Sequence, residues 1–237
     1  HHGLTEIKME HRRLNAANEM IWALSALYLF TDQVQNEILG FFFVMDIHQQ
    51  KNKELALKRK SEHDSLTGLL NKEHTEQSIQ SFLQENHSVE KHALMIIDLD
   101  NFKNVNDTYG HQIGDMVLEE MGKLLYETFR STDIVGRVGG DEFAVFLKNI
   151  TSLDNTVALA RNLCSLAASQ INHFDQNFSI SCSVGISECP EDGITYEVLF
   201  RKADIALYEA KHHGKSCVFR YNLSMENGSL KANGFSH

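Results

Sequence analysis

The sequence predicts an α+β fold: a five-stranded sheet covered by helices, preceded by a small β meander and a connecting helix. Three observations lead there. Residues 92–99 (His-Ala-Leu-Met-Ile-Ile-Asp-Leu) form a nearly continuous apolar run, the pattern of a buried central strand. Two short β runs, 134–138 and 143–147, flank Gly139-Gly140-Asp141-Glu142, which is a hairpin signal and implies antiparallel pairing there. Amphipathic helical stretches separate these runs from further strands, so the order reads β-αα-ββ-α-β-α-β.

Taken in order, residues 4–47 read as a three-stranded antiparallel meander. A short strand spans 11–14, and Asn15-Ala16-Ala17-Asn18 is a turn. Residues 20–31 are rich in aromatic and aliphatic side chains, residues 32–37 form a polar turn, and 38–47 are a second apolar run. Residues 48–63 are polar helix formers with sparse Leu55 and Leu57, which predicts an exposed connecting helix with weak heptads at most. The second domain, 64–222, opens with a turn at Asp64-Ser65-Leu66-Thr67-Gly68 and a helix over 72–84. After the 92–99 strand and a short helical start at Phe102-Lys103, Ile113, Val117, Met121 and Leu124 place an amphipathic helix over 112–130. Val157, Ala160, Leu163 and Ala167 place another over 154–171. A strand at 178–187, a helix at 196–212 and a last strand at 217–221 follow, and the polar tail 223–237 is expected to be loose.

Composition narrows the function classes. Hydrophobic residues make up 42% of the 237 and charged ones 23%, enough apolar surface to exclude wholesale disorder. Twenty-two basic against 32 acidic residues give −10, which argues against a broad nucleic-acid or anionic-membrane surface. The longest apolar run, 20–30, is broken by Ser25 and falls short of the ~20 residues that span a bilayer, so no membrane segment is expected. His1-His2-Gly3 reads as a tag remnant. The four cysteines lack CxxC spacing, and no secretion signal is visible; both point to reduced thiols and a cytoplasmic location.

Two acidic clusters could carry chemistry. Asp98-Leu99-Asp100 ends the apolar strand, and Asp141-Glu142 sits at the hairpin tip. Carboxylates from a strand end and a neighbouring hairpin can converge as hard oxygen ligands for Mg²⁺, completed by substrate phosphates. Asp141-Glu142 could also simply cap a solvated hairpin, but a carboxylate ending a buried strand needs a partner or an ion. Gly139-Gly140 would allow a sharp turn and leave room for a bulky ligand. Lys103, at a helical start, suits phosphate. Lys211 and Lys215 lie at the end of the last helix, where they suit phosphate or the helix dipole equally. Asn106 and Asp115 together could read a guanine edge, though Asp115 could equally be first-turn helix charge.

These residues fall within four blocks that resemble the GGDEF diguanylate cyclases. They are Asp64-Ser65-Leu66-Thr67-Gly68-Leu69-Leu70-Asn71; Asp98 to Asp107 followed by Gly110-His111-Gln112-Ile113-Gly114-Asp115; Val138-Gly139-Gly140-Asp141-Glu142-Phe143; and Ala203 to Lys211. They occur in the family's order over about 62–221. The resemblance implies a mostly antiparallel, palm-like sheet and condensation of two GTP into cyclic di-GMP with release of two pyrophosphates. It implies that Asp98, the Leu99 carbonyl, Asp141 and Glu142 hold two Mg²⁺ (or Mn²⁺), with Glu142 as base on the ribose 3′-hydroxyl and Asp141 beside it in catalysis. Asn106 and Asp115 would recognise guanine, with His111 near the substrate. Lys103 and the backbone at Asn101-Phe102 would hold phosphates, with Lys211 and Lys215 at the outer ones. Each subunit carries one GTP, so a homodimer is implied. Lys72 and Lys215 stand where the family usually has Arg, and Lys215 cannot make a bidentate fork.

Arg130-Ser131-Thr132-Asp133 resembles the family's RxxD product-inhibition site, with Arg161 as a possible second arginine; the alternative is an exposed pair at a helix end. Residues 10–47 look like the last three strands of a PAS sensor domain, and Trp22, Phe30 and Phe41–Phe43 are expected to be exposed. A competing function is a catalytically silent receptor that binds GTP or cyclic di-GMP and signals by contact.

Overall fold

The computed structural model describes residues 5–32, 37–85, 90–171 and 180–225. The expected tail beyond residue 225, the first two residues of the strand expected at 178–187 and the Phe30 side chain lie outside the described residues. The chain divides into two compact units, His1–Ser61 and Glu62–His237.

In the first unit, β1 (Thr5–Leu14), β2 (Met20–Asp32) and β3 (Glu37–Asp46) form an antiparallel sheet in the order β1-β2-β3. The Asn15 turn forms as expected: the Asn15 Oδ1 accepts from the backbone N–H groups of Ala17 and Glu19, both at 2.9 Å, and Asn18 takes a left-handed φ of 62°. β1 begins at Thr5 instead of His11. Its charged residues form cross-strand contacts in place of apolar ones, with Lys8 over the Tyr28 ring at 5.8 Å and Arg12 over the Trp22 ring at 6.0 Å. Trp22 is therefore half-buried, while Phe41, Phe42 and Phe43 are exposed. α1 (His48–Glu62) follows, its start tied by the Asp46 Oδ1, which accepts from the His48 N–H at 2.8 Å.

The second unit is a three-layer sandwich. Its sheet comprises β4 (His92–Asp100), β5 (Ile134–Arg137), β6 (Glu142–Leu147), β7 (Ser181–Cys189) and β8 (Val218–Arg220) in the order β5-β6-β4-β7-β8. All pairs are antiparallel except β7 with β8. β4 lies at the centre and is buried along its whole length, as its apolar run implies. Its alternate residues feed two cores. Ala93, Met95, Ile97 and Leu99 pack with α4 (His111–Thr128) and α5 (Leu153–Ile171); Leu94 and Ile96 pack with α2 (Lys72–Glu85) and α6 (Tyr196–His212).

Local chemistry sets the ends of these helices. Asn71 Oδ1 accepts from the His74 N–H at 3.0 Å and caps α2. Thr195 caps α6. α6 lies close on the sheet because Ala203, Ala206 and Ala210 are fully buried small residues. Gly185 is the point of closest approach: a Cβ there would fall 2.0 Å from the Ala203 carbonyl oxygen. α3 (Phe102–Tyr109) and α4 are separate helices, divided by Gly110 at φ 84°. α4 ends at Thr128, which leaves Arg130 outside the helix expected to contain it.

Candidate active site

The carboxyl end of β4 and the β5–β6 hairpin meet at one edge of the second unit. Asp98 pairs across the ladder with Glu142, and the Leu99 N–H donates to the Asp141 carbonyl at 3.2 Å. The three carboxylates thus face one region. Asp98 is almost fully enclosed. Burial pushes its carboxyl up to about 6, the charges of Asp141 and Glu142 push the same way, and Lys211 opposes them. Lys211 Nζ, from the end of α6, lies 2.8 Å from Asp98 Oδ2. Among the described residues, no three acidic, His or Cys side chains close into a ready-made metal cage. Even so, the donor set fits a hard divalent ion: oxygen-only ligands, one of them enclosed, with burial that a single ammonium offsets only in part.

The hairpin bends sharply over residues 139–141 as expected, the Val138 and Gly139 N–H groups both donating to the Glu142 carbonyl at 2.9 and 3.2 Å, but the turn does not draw on glycine's conformational freedom. Neither has a left-handed φ. Gly139 matters for space, since a Cβ there would fall 2.6 Å from Glu142 Oε2. Gly140 has nothing within 4 Å, which leaves that side of the hairpin open.

The loop after β4 is set by Asn101, at φ 58° and ψ 23°, which starts α3. Phe102 is buried in the core, so only its backbone is available to a ligand, while Lys103 is exposed. Asn106 on α3 packs against α4 at Gly114, where a Cβ would fall 1.9 Å from Asn106 Oδ1. Asp115, the next residue of α4, is exposed. His111 opens α4 and is also exposed. Beyond α6, Lys215 (φ 65°) and Ser216 (φ 51°) are both left-handed. The Lys215 ammonium donates to Asn101 Oδ1 at 2.6 Å, bringing the last helix's exit to the start of α3.

Two supporting arrangements escape sequence reasoning. Asp100, first grouped with Asp98, accepts from the Ser181 hydroxyl at 2.6 Å, the Ser183 hydroxyl at 2.7 Å and the Ser216 N–H at 3.0 Å. It is a buried structural acceptor that ties β4, β7 and the Lys215 loop together. Arg137 donates to the Gly140 carbonyl from Nε (3.2 Å) and Nη2 (2.7 Å), and to Asp64 Oδ1 from Nη1 (3.1 Å). Asp64 Oδ1 also accepts from the Thr67 N–H and hydroxyl. Burial opposes ionisation of Asp64, but these donors together hold its carboxyl below the ordinary value. Only the position of Arg137, a charge closing a strand before two glycines, hinted at this clamp.

Arg130 and Asp133 share a tight turn. Asp133 Oδ2 accepts from the Arg130 N–H at 3.2 Å and its Oδ1 accepts from the Lys148 N–H at 3.1 Å. They line a groove of about 340 Å³ with Asn149 and Asn155. Arg161 does not join them. It lines a separate groove, of about 1050 Å³, with Ser216, Cys217 and Arg220.

The model of a known family, described as diguanylate cyclase, GGDEF domain, matches residues 61–217. The chain is 39% identical over 168 residues to the diguanylate cyclase DgcS of Shewanella oneidensis, covering 68% of this chain and 52% of that protein. It is 31% identical over 222 residues to the diguanylate cyclase DgcM of Escherichia coli K12, covering 92% and 53%. It thus spans about half the length of these curated relatives. A solved structure comprising only the GGDEF domain of TpbB (YfiN) from Pseudomonas aeruginosa is 33% identical, with a TM-score of 0.66, and covers 71% of this chain and 99% of that one. Sheet order, motif placement and these matches agree, and the chain belongs to the GGDEF diguanylate cyclase family.

Proposed function

We propose that the chain condenses two GTP into cyclic di-GMP, releasing two pyrophosphates, across a homodimer of its second unit. The observation that carries this reading is the pairing of Asp98 with Glu142 at the carboxyl end of the central strand, with Lys211 against Asp98 and the Asn101 loop that starts α3 following directly. Asp115 and the Asn106 amide offer acceptors and a donor that suit the edge of guanine, with His111 alongside. Lys103, Lys211, Lys215 and the backbone at Asn101-Phe102 hold the phosphates. Glu142 takes the proton from the ribose 3′-hydroxyl, and Asp141 shares its charge. Asp98, the Leu99 carbonyl, Asp141 and Glu142 would hold two Mg²⁺, which supply charge neutralisation at the phosphates and lower the pKa of the attacking hydroxyl. Arg130 and Asp133 bind the product as feedback inhibitor, and the meander with α1 acts as a PAS-like regulatory segment.

Purified protein incubated with GTP and Mg²⁺ should yield cyclic di-GMP, with specific activity rising with protein concentration. Asp141→Ala or Glu142→Ala should abolish turnover and leave the fold intact, and Arg130→Ala should relieve inhibition by added product. Absence of cyclic di-GMP across a wide range of protein concentrations would overturn the catalytic reading.

A further inference from the structure

We propose that Lys211 is the resident counter-ion of the metal site, and that it makes cation and nucleotide binding depend on each other. The inference rests on the reading of Asp98 as a metal ligand. Asp98 is a carboxylate with a 9% exposed side chain, facing two further acids, and the cation against it is Lys211, 2.8 Å away. A carboxylate so enclosed requires a positive partner. Lys211 supplies one from a side chain that is itself 35% exposed, so it can swing out. The other two lysines of the site stand differently. Lys215 bonds a neutral amide, Asn101, and Lys103 lies exposed on α3.

A divalent cation arriving alone therefore meets an ammonium already bound to one oxygen of its enclosed ligand. Two positive centres sharing one carboxylate at short range repel strongly where solvent is excluded. A nucleotide removes the obstacle, because its phosphates offer Lys211 an alternative partner. Cation affinity should then be low without nucleotide and rise with it, and by linkage nucleotide affinity should rise with the cation by the same factor.

The test titrates Mn²⁺ into the chelator-stripped full chain and reads free Mn²⁺ by electron paramagnetic resonance, with and without the non-reacting analogue guanosine 5′-α,β-methylenetriphosphate, counting as uptake only the Mn²⁺ lost beyond that held by the same analogue without protein. Wild type should bind Mn²⁺ at least about tenfold more tightly with the analogue. Lys211→Met, neutral and of similar length, should bind Mn²⁺ alone about tenfold more tightly than wild type, with the gain from the analogue reduced about tenfold to the part that its phosphates supply as direct ligands (~1.4 kcal/mol per factor of ten). Lys211→Arg should keep the wild-type behaviour, and circular dichroism of each variant checks its fold. Nucleotide-free Mn²⁺ affinity in Lys211→Met equal to or weaker than wild type, with the fold retained, would overturn the proposal. No Mn²⁺ uptake by wild type even with the analogue would overturn the metal-site reading beneath it as well.

Discussion

Replacing Arg137 with alanine tests the clamp that joins the opening loop of the second unit to its β5–β6 hairpin. The guanidinium makes three charge-assisted hydrogen bonds, two to the Gly140 carbonyl and one to Asp64, and is only 14% exposed. A hydrogen bond involving a charged group contributes ~1.5–3 kcal/mol, but these three share one side chain and do not add in full. Asp64, 24% exposed, keeps both Thr67 donors, so its charge is not stranded. A loss of ~2–4 kcal/mol follows, or a fall of roughly 5–15 °C in the melting temperature of a unit this size. Arg137→Lys should recover only part, since one ammonium cannot serve both partners. The pH dependence has a definite sign. The folded carboxyl of Asp64 lies below its ordinary value, so its contribution is present above the unfolded pKa of ~3.9 and is lost as pH falls through the folded value. The gap between wild type and Arg137→Ala should thus be flat above about pH 5 and narrow in stronger acid. Trp22, the single tryptophan, lies in the first unit, so unfolding is best followed by far-UV circular dichroism. A melting shift under about 2 °C, or a gap that widens in acid, would refute the clamp.

Three further outcomes are expected. Gly114→Ala places a Cβ 1.9 Å from Asn106 Oδ1, so the amide must move; the KM for GTP should rise about tenfold while melting changes little, and an unchanged KM in steady-state kinetics would count against a guanine-reading role. Asp98 has its folded carboxyl raised from 3.8 to about 6, so without metal its ionisation opposes folding: stability of the chelated protein should fall as pH rises from ~4 to ~6, by up to ~3 kcal/mol, and Asp98→Asn should lack this fall and melt higher at pH 7.5 in chelator, a lower melting point being the adverse result. Gly185→Ala drives a Cβ into the backbone of α6, 2.0 Å from the Ala203 oxygen and 2.3 Å from the Leu207 nitrogen; neither atom can yield, so soluble yield and urea midpoint should drop by the equivalent of ~3 kcal/mol, and a near-wild-type midpoint would contradict the packing.

The parts of this fold with strong local signals were legible in the sequence. β4 could be read from an unbroken apolar run, α6 from alanine spacing, and the hairpin from two glycines between β runs. The extent of β1 was hidden because its Lys8 and Arg12 are stabilised by rings on a neighbouring strand, a contact that no window of residues contains. Asp100 looked like a partner of Asp98 for the same reason. Its true role depends on Ser181, Ser183 and Ser216, far along the chain and brought together by β4–β7 pairing and the exit of α6. Arg161 sits on α5 at a groove separate from that of Arg130, which a motif distance cannot reveal.

Asp98 and Asp100 share a strand and a face, yet they meet opposite surroundings, and this contrast bears on how an acidic chain would handle the proposed nucleotide. Three donors surround Asp100, two of them hydroxyls and one a backbone N–H, so its charge is solvated by the protein itself. Asp98 has one ammonium and two acids around it, and its raised pKa shows that the ammonium does not fully offset burial. The unbalanced negative charge is therefore local, placed where a small divalent ion can relieve it. The −10 overall charge repels a polyanion from the general surface, while this single edge attracts the cation that accompanies a nucleotide. On the proposed reading, the charge left uncompensated at Asp98 favours a nucleotide arriving with its cation over a long polyphosphate backbone, and Lys103, Lys211 and Lys215 suffice where a broad basic surface would otherwise be needed.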